Sequence, residues 1–165
     1  MIIGDPFRFS VLVESVKEWG GYNGVMIITV DGFMFPDREL LNISLDCMVP
    51  ELVNNLKRIP VNKAVFNIKD KKCAFAAIYD LVHPEVGDSE DWRYIITPQE
   101  IWDKDYYIFA MSDGKDVRIL ASRLKYINKT SRHRLENITV REAFVSDSEL
   151  REITAALEDW VQKIK

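Results

Sequence analysis

The side chains best suited to nucleophilic attack, general acid–base work or metal binding are Cys47, Cys73, His83 and His133. Histidine is the usual general base because its charge changes near neutrality. His83 stands directly before Pro84, where an imidazole can meet the free carbonyls of a helix end. His133 sits between Arg132 and Arg134 in a polar stretch. Neither histidine has a cysteine or carboxylate at a metal-ligand spacing, and the cysteines form no C-x-x-C pair. A Cys47–His83 or Cys73–His83 dyad stays open, since catalytic partners can be remote in sequence. Buried apolar cysteines in a reducing compartment, beside a helix-end histidine, are the plainer account. No metal and no cofactor is expected.

Carboxylates are plentiful but unspecific. Asp103 and Asp105 flank Lys104, and Glu149, Glu152, Glu158 and Asp159 decorate one helical segment. A solvated face explains them better than a glycosidase pair. Glycine is only 7 of 165 residues, and no P-loop or nucleophile elbow appears, so nothing in the pattern supports an enzyme. Arg123, Lys125, Lys129, Arg132 and Arg134, with Tyr126 among them, form a basic cluster that could follow a nucleic-acid backbone. A net charge of −4 opposes that role, and basic residues guarding a hairpin edge are a simpler reading. Opposite in sign, Glu85, Asp88, Glu90 and Asp91 crowd the stretch from Pro84 to Asp91. They read as a solvated linker or, more sharply, as an acidic patch for a basic partner.

These groups need a scaffold to hold them. At 165 residues, 47% hydrophobic and 29% charged, the chain fits one globular domain over 1–165. No signal peptide or membrane-spanning run is visible, so a cytoplasmic location is expected. Alternation over Phe7, Phe9, Val11 and Val13, with Leu12 as the exception, predicts a half-buried strand. A hairpin follows, Val25–Val30 returning through Asp31-Gly32 into Phe33–Phe35. Leu45, Met48, Val49, Leu52, Val53, Leu56 and Ile59 share a helical face, and Pro50 is best placed in the first turn of a helix ending near Arg58. Ala64–Ile68 reads as extended. Asp70 then caps a helix whose face holds Cys73, Ala74, Ala77, Ile78 and Leu81. Strands are predicted over Arg93–Thr97, Tyr106–Met111, Val117–Lys125 and Ile138–Phe144. Ser146-x-x-Glu149 forms a capping box before the stripe Leu150, Ile153, Leu157, Trp160, Val161 and Ile164. The fold class is therefore α+β: mostly antiparallel sheet, two central helices, and a C-terminal amphipathic helix packed on the sheet.

Three short motifs carry a resemblance. The chain opens Met1-Ile2-Ile3-Gly4-Asp5-Pro6-Phe7-Arg8-Phe9. A proline-ended segment, Tyr94 to Pro98, precedes the acid–aromatic step Ile101-Trp102-Asp103 and the arginine-containing Val117-Arg118-Ile119-Leu120. A late strand, Ile138 to Phe144, leads into the terminal helix from Ser146. In this layout the chain resembles the immunity protein 42 family, which accompanies bacterial polymorphic and contact-dependent toxins. The resemblance implies a cytoplasmic protein that binds and neutralises the C-terminal toxin domain of a cognate effector, with no catalytic residues and no membrane or nucleic-acid partner. The family has no fixed contact residues to transfer. Glu85, Asp88, Glu90 and Asp91 are the candidate charge contacts, with Trp92 and Trp102 as candidate aromatic anchors; core packing is the plainer reading for both tryptophans. The rivals are a nucleic-acid-binding or regulatory module built on Arg123–Arg134, and an enzyme of unrecognised type.

Overall fold

The structure is a computed structural model that describes residues 1–84, 90–124, 135 and 137–164. Two antiparallel sheets organise it. The first holds β1 (Ile2–Asp5), β2 (Phe9–Ser15), β3 (Asn23–Val30) and β4 (Phe33–Phe35) in chain order, and a short β5 (Ile43–Ser44) pairs with the start of β3. The second is a meander of β6 (Tyr106–Ser112), β7 (Asp116–Arg123) and β8 (Arg141–Ser146). Helices α1 (Leu45–Lys57), α2 (Lys63–Phe66), α3 (Lys71–Val82) and α4 (Gln99–Trp102) lie between the sheets in sequence, and α5 (Asp147–Ile164) follows β8. The α+β class, the antiparallel sheets and the packed terminal helix are as the sequence predicts.

Local chemistry explains the first sheet. Asp31 and Gly32 adopt φ of 54° and 74°, the positive pair that a two-residue hairpin turn requires. The strand expected from Phe7 begins instead at Phe9; Phe7 is in a turn and 83% exposed. That turn joins β1 to β2. Gly4 has φ of 93°, and a Cβ there would run into the Phe9 carbonyl and the Ile153 side chain. Asp5 closes the turn by accepting the Phe7 N–H at 2.9 Å and the Arg8 Nε–H at 3.1 Å. The Gly-Asp step of the opening motif is thus a hairpin device.

Phe9, Val11 and Val13 of β2 pair with Val30, Ile28 and Met26 of β3 in one core that also takes Ile108, Val117, Ile119 and Val145 from the second sheet. Helices α1 and α5 close this shared core, burying Leu45, Val49, Leu52 and Leu56 from one and Leu150, Ile153, Leu157 and Val161 from the other. Leu12 points the opposite way, in register between Ile2 and Ile27, which accounts for its break in the alternation. The second sheet is covered on its other face as well. There Phe109, Met111 and Leu120 pack against Phe75, Ile78, Tyr79 and Val82 of α3.

Several expectations are corrected. Helix α1 starts at Leu45, so Pro50 lies inside it rather than in its first turn. Burying Leu45, Met48 and Val49, at about 1.5–3 kcal/mol each, outweighs the roughly 3 kcal/mol cost of an interior proline. Ala64–Ile68 is not extended: Asn62 accepts the Val65 N–H at 3.1 Å and caps α2. Asp70 caps α3 as predicted, accepting the Cys73 N–H at 2.8 Å. Its buried face, however, is Ala74, Phe75, Ile78, Tyr79 and Val82, turned by one position so that Cys73 and Leu81 look outward. Two aromatic rings at Phe75 and Tyr79 bury more area than the small residues beside them. Cys47 and Cys73 are both exposed, against the buried reading.

The segment read as a strand over Arg93–Thr97 is a 3-10 turn at Trp92–Tyr94 followed by one bridge, Ile95 to Phe109. Thr97 replaces ladder geometry with its hydroxyl, which accepts the Ile108 N–H at 2.6 Å. Pro98 then ends the segment. The last strand begins at Arg141, not Ile138, although Ile138 and Val140 are buried. Leu124 follows β7, and Lys125 with the Asn128–Arg134 loop lies outside the described residues. The capping box holds in both directions: the Ser146 N–H donates to Glu149 Oε2 at 2.9 Å and the Glu149 N–H to Ser146 Oγ at 3.2 Å. Arg8 also pairs with Glu149, locking the β1–β2 turn to the start of α5.

Candidate functional site

Of the sequence-predicted contact residues, Asp91, Trp92 and Trp102 meet at one end of α3. Trp92 follows directly from Asp91, whose N–H donates to the Leu81 carbonyl at 3.0 Å and holds the segment against the helix end. Trp102 closes α4, and its ring centroid lies 5.2 Å from that of Trp92. His83 sits between them and α3, 5.5 Å from Trp92 edge to face and 4.9 Å from Tyr79. Tyr107 of β6 completes the cluster, 5.6 Å from Trp102. Edge-to-face and tilted rings at these separations attract one another and hold a rigid surface.

Burial separates the two tryptophans. Trp102 is half-buried and packs on the α3 core, as the plainer reading has it, whereas Trp92 is 40% exposed. His83 is buried among rings. Burial pushes the Tyr79 phenol up to about 12 and raises that of Tyr107 as well. Both phenols therefore stay neutral across the physiological range.

Charge comes from the neighbouring carboxylates. Glu85 and Asp88 lie outside the described residues, while Glu90 is exposed beside Trp92. Asp91 is more constrained: its oxygens accept Arg93 Nε–H at 2.9 Å and Nη2–H at 2.7 Å. The hydrogen-bonded Arg93 guanidinium holds the Asp91 carboxyl below its ordinary range. Its charge is already shared with a neighbour, which makes it a weaker contact than its place in the sequence implies.

The catalytic alternatives find no assembled site. Cys73 and His83 stand ten positions apart at opposite ends of α3, about 15 Å at the helical rise, which separates that dyad. A hydrogen bond to Asp70 raises the Cys73 thiol pKa, leaving it a poorer nucleophile. Cys47 is exposed on α1, the helix that packs on α5 and β3 rather than on the His83 cluster. Among the described residues, no group of three or more histidines, cysteines or carboxylates is placed to hold a metal ion. No helix of the described residues is long and apolar enough to cross a membrane.

Of the basic cluster, Arg123 alone is described; Lys125, Tyr126, Lys129, Arg132 and Arg134 lie outside the described residues, as does His133. Arg123 and Tyr106 are cross-strand partners at the end of the second sheet, with the guanidinium 5.2 Å from the ring centre. Between them and β4 opens a cleft of about 660 Å³, also lined by Phe33, Arg38 and Arg141. Sequence reasoning missed this grouping. Phe33 sits in a hairpin, Arg141 starts a strand more than a hundred positions later, and only the meeting of the two sheets joins them.

A sequence model of the immunity protein 42 family matches residues 1–160. No curated protein matches the chain. Among solved structures, CdiI from Burkholderia dolosa is similar, with a TM-score of 0.72 over 99% of each chain at 16% sequence identity, a likeness of fold. The opening Gly-Asp turn, the arginine-containing strand β7 and the capped start of α5 all fall within the matched span, and the chain belongs to the immunity protein 42 family.

Proposed function

We propose that this protein is a cytoplasmic immunity protein, one domain over 1–165, that binds and neutralises the C-terminal toxin domain of a cognate bacterial effector. The effector belongs to a contact-dependent inhibition or similar system, encoded immediately upstream. The observation that carries this reading is the family match across residues 1–160. The CdiI-like fold is consistent with it. Neutralisation needs no catalytic residue. It needs a stiff scaffold with a complementary surface, burying about 1,200–2,000 Å² in a standard complex.

The surface we assign to the toxin is the ring cluster and acidic segment at the end of α3. Trp92 is the anchor, with Trp102 as its backing, and Glu90 and Asp91 supply charge next to it in the chain; Glu85 and Asp88, outside the described residues, are assigned to the same surface by their place in the sequence alone. Support comes from the exposed face of Trp92 on a rigid aromatic base and from the carboxylates beside it in the chain. Aromatic anchors ringed by polar groups are the usual centre of a tight interface, and a negative rim speeds encounter with a basic toxin.

Co-expression with the C-terminal domain of the upstream open reading frame tests the function. Restored growth and an equimolar complex on purification are expected. Continued killing without co-purification, for every neighbouring candidate, would overturn it.

A further inference from the structure

The cleft at the seam of the two sheets has a chemistry that the acidic face lacks. Its walls are β4 on one side and the ends of β7 and β8 on the other, enclosing about 660 Å³. Arg141 lies over the Phe33 ring at 3.1 Å and is 3.9 Å from the Asp31 carboxylate. Arg123 lies deeper. Its Nε and Nη1 are enclosed and find no acceptor among the described residues. The nearest acid along the cleft, Asp37, accepts the Tyr106 hydroxyl at 2.7 Å. Exposed Arg38 adds a third positive charge at the mouth.

We propose that this cleft receives an acidic side chain, presented with a neighbouring apolar residue, from a protein partner. Arginines lining a partly enclosed space, one of them with two enclosed nitrogens that have no acceptor among the described residues, favour a carboxylate, because a charge-assisted hydrogen bond gains strength away from water. The rim selects a peptide over a small free anion. Phe33 is 46% and Met34 55% exposed, and the space is several times larger than one carboxylate. Aromatic, methionine and arginine side chains are the types enriched where proteins meet. Only the partner's identity rests on the neutralising role; the chemistry of the cleft stands by itself. Because Arg123 and Tyr106 are on the face of β6–β7 opposite Tyr107, the cleft is distinct from the tryptophan cluster.

The test uses the whole chain, isotopically labelled, with a short synthetic peptide carrying glutamate beside leucine, its glutamine analogue, and inorganic phosphate. Binding is read from the arginine Nε–H signals. The glutamate peptide is expected to move the Arg123 signal and to bind at least about tenfold more tightly than the glutamine analogue, the usual effect of losing one charged hydrogen bond. Arg123→Gln and Arg141→Gln should weaken binding by a similar factor, and Arg38→Gln, at the solvent edge, provides a variant that keeps the fold. Equal binding of both peptides, no binding at millimolar concentration, or indifference to the arginine substitutions would overturn the proposal. Phosphate matching the glutamate peptide would also overturn it, reassigning the cleft to a small oxyanion. Failure of the co-expression experiment leaves each of these outcomes readable.

Discussion

Arg118 is 2% exposed, yet it carries a full charge in the middle of β7. Its Nε–H donates to Glu142 at 2.7 Å, and Nη1 donates to the Phe66 and Ile68 carbonyls at 2.8 and 2.6 Å. The arginine therefore ties the exit of α2 to the second sheet through the Phe66 and Ile68 carbonyls. Arg118→Met should lower unfolding free energy by about 3 kcal/mol, because Glu142 and two carbonyls lose their partner, and urea denaturation measures it. Glu149 makes a second residue-scale prediction. Hydrogen bonds from Arg8, then from the Ser146 N–H, lower its carboxyl from an ordinary 4.5 to about 2. A depressed carboxylate stabilises the fold above its unfolded value and loses that contribution as pH falls from 4.5 towards 2. Glu149→Gln should reduce stability near neutrality by about 1 kcal/mol, a modest figure because the pair is partly exposed, and should flatten that stretch of the acid-denaturation curve.

Helices and strands differ in how much of their reason lies within their own residues. The capping box at Ser146 and Glu149, the Asp70 cap and the Asp31-Gly32 turn are local hydrogen-bond devices, so the sequence shows them directly. The start of α1, the rotation of the α3 face and the irregular path of Ile95–Thr97 depend on what packs against them, which no local pattern contains. The same holds for the candidate sites. Asp91 and Trp92 are adjacent and stand out by composition, whereas Phe33, Arg123 and Arg141 meet only after both sheets form. Pro50 offers the clearest test of an element shaped by its surroundings. Pro50→Ala restores a backbone donor inside α1 and should raise stability by about 1–3 kcal/mol, provided the half-exposed ring contributes little packing. Asp70→Ala, by contrast, should lower stability through loss of the α3 cap. Thermal or urea unfolding of the two variants measures both signs.

Across the whole molecule, the proposed toxin surface and the shared core are physically separate, so mutations should weigh differently on binding and on stability. Trp92→Ala is expected to lower unfolding free energy by about 1–2 kcal/mol, through the ring contacts it loses, and to weaken the toxin complex at least about thirtyfold, as calorimetric titration would read it. Trp102→Ala should cost more stability, since that ring packs on the α3 core. The contact between Arg8 and Glu149 spans 141 residues of sequence, and Ile3 and Ile153 meet in the same core. During synthesis, the pocket that awaits α5 stays open until that helix has left the ribosome. At about 5–20 residues per second, these 165 residues alone take on the order of ten to thirty seconds to make. Copies begun in response to a toxin are still unfinished throughout that interval. In the neutralising role proposed above, protection then depends on the stock of finished molecules a cell already holds, not on how quickly it can begin making more.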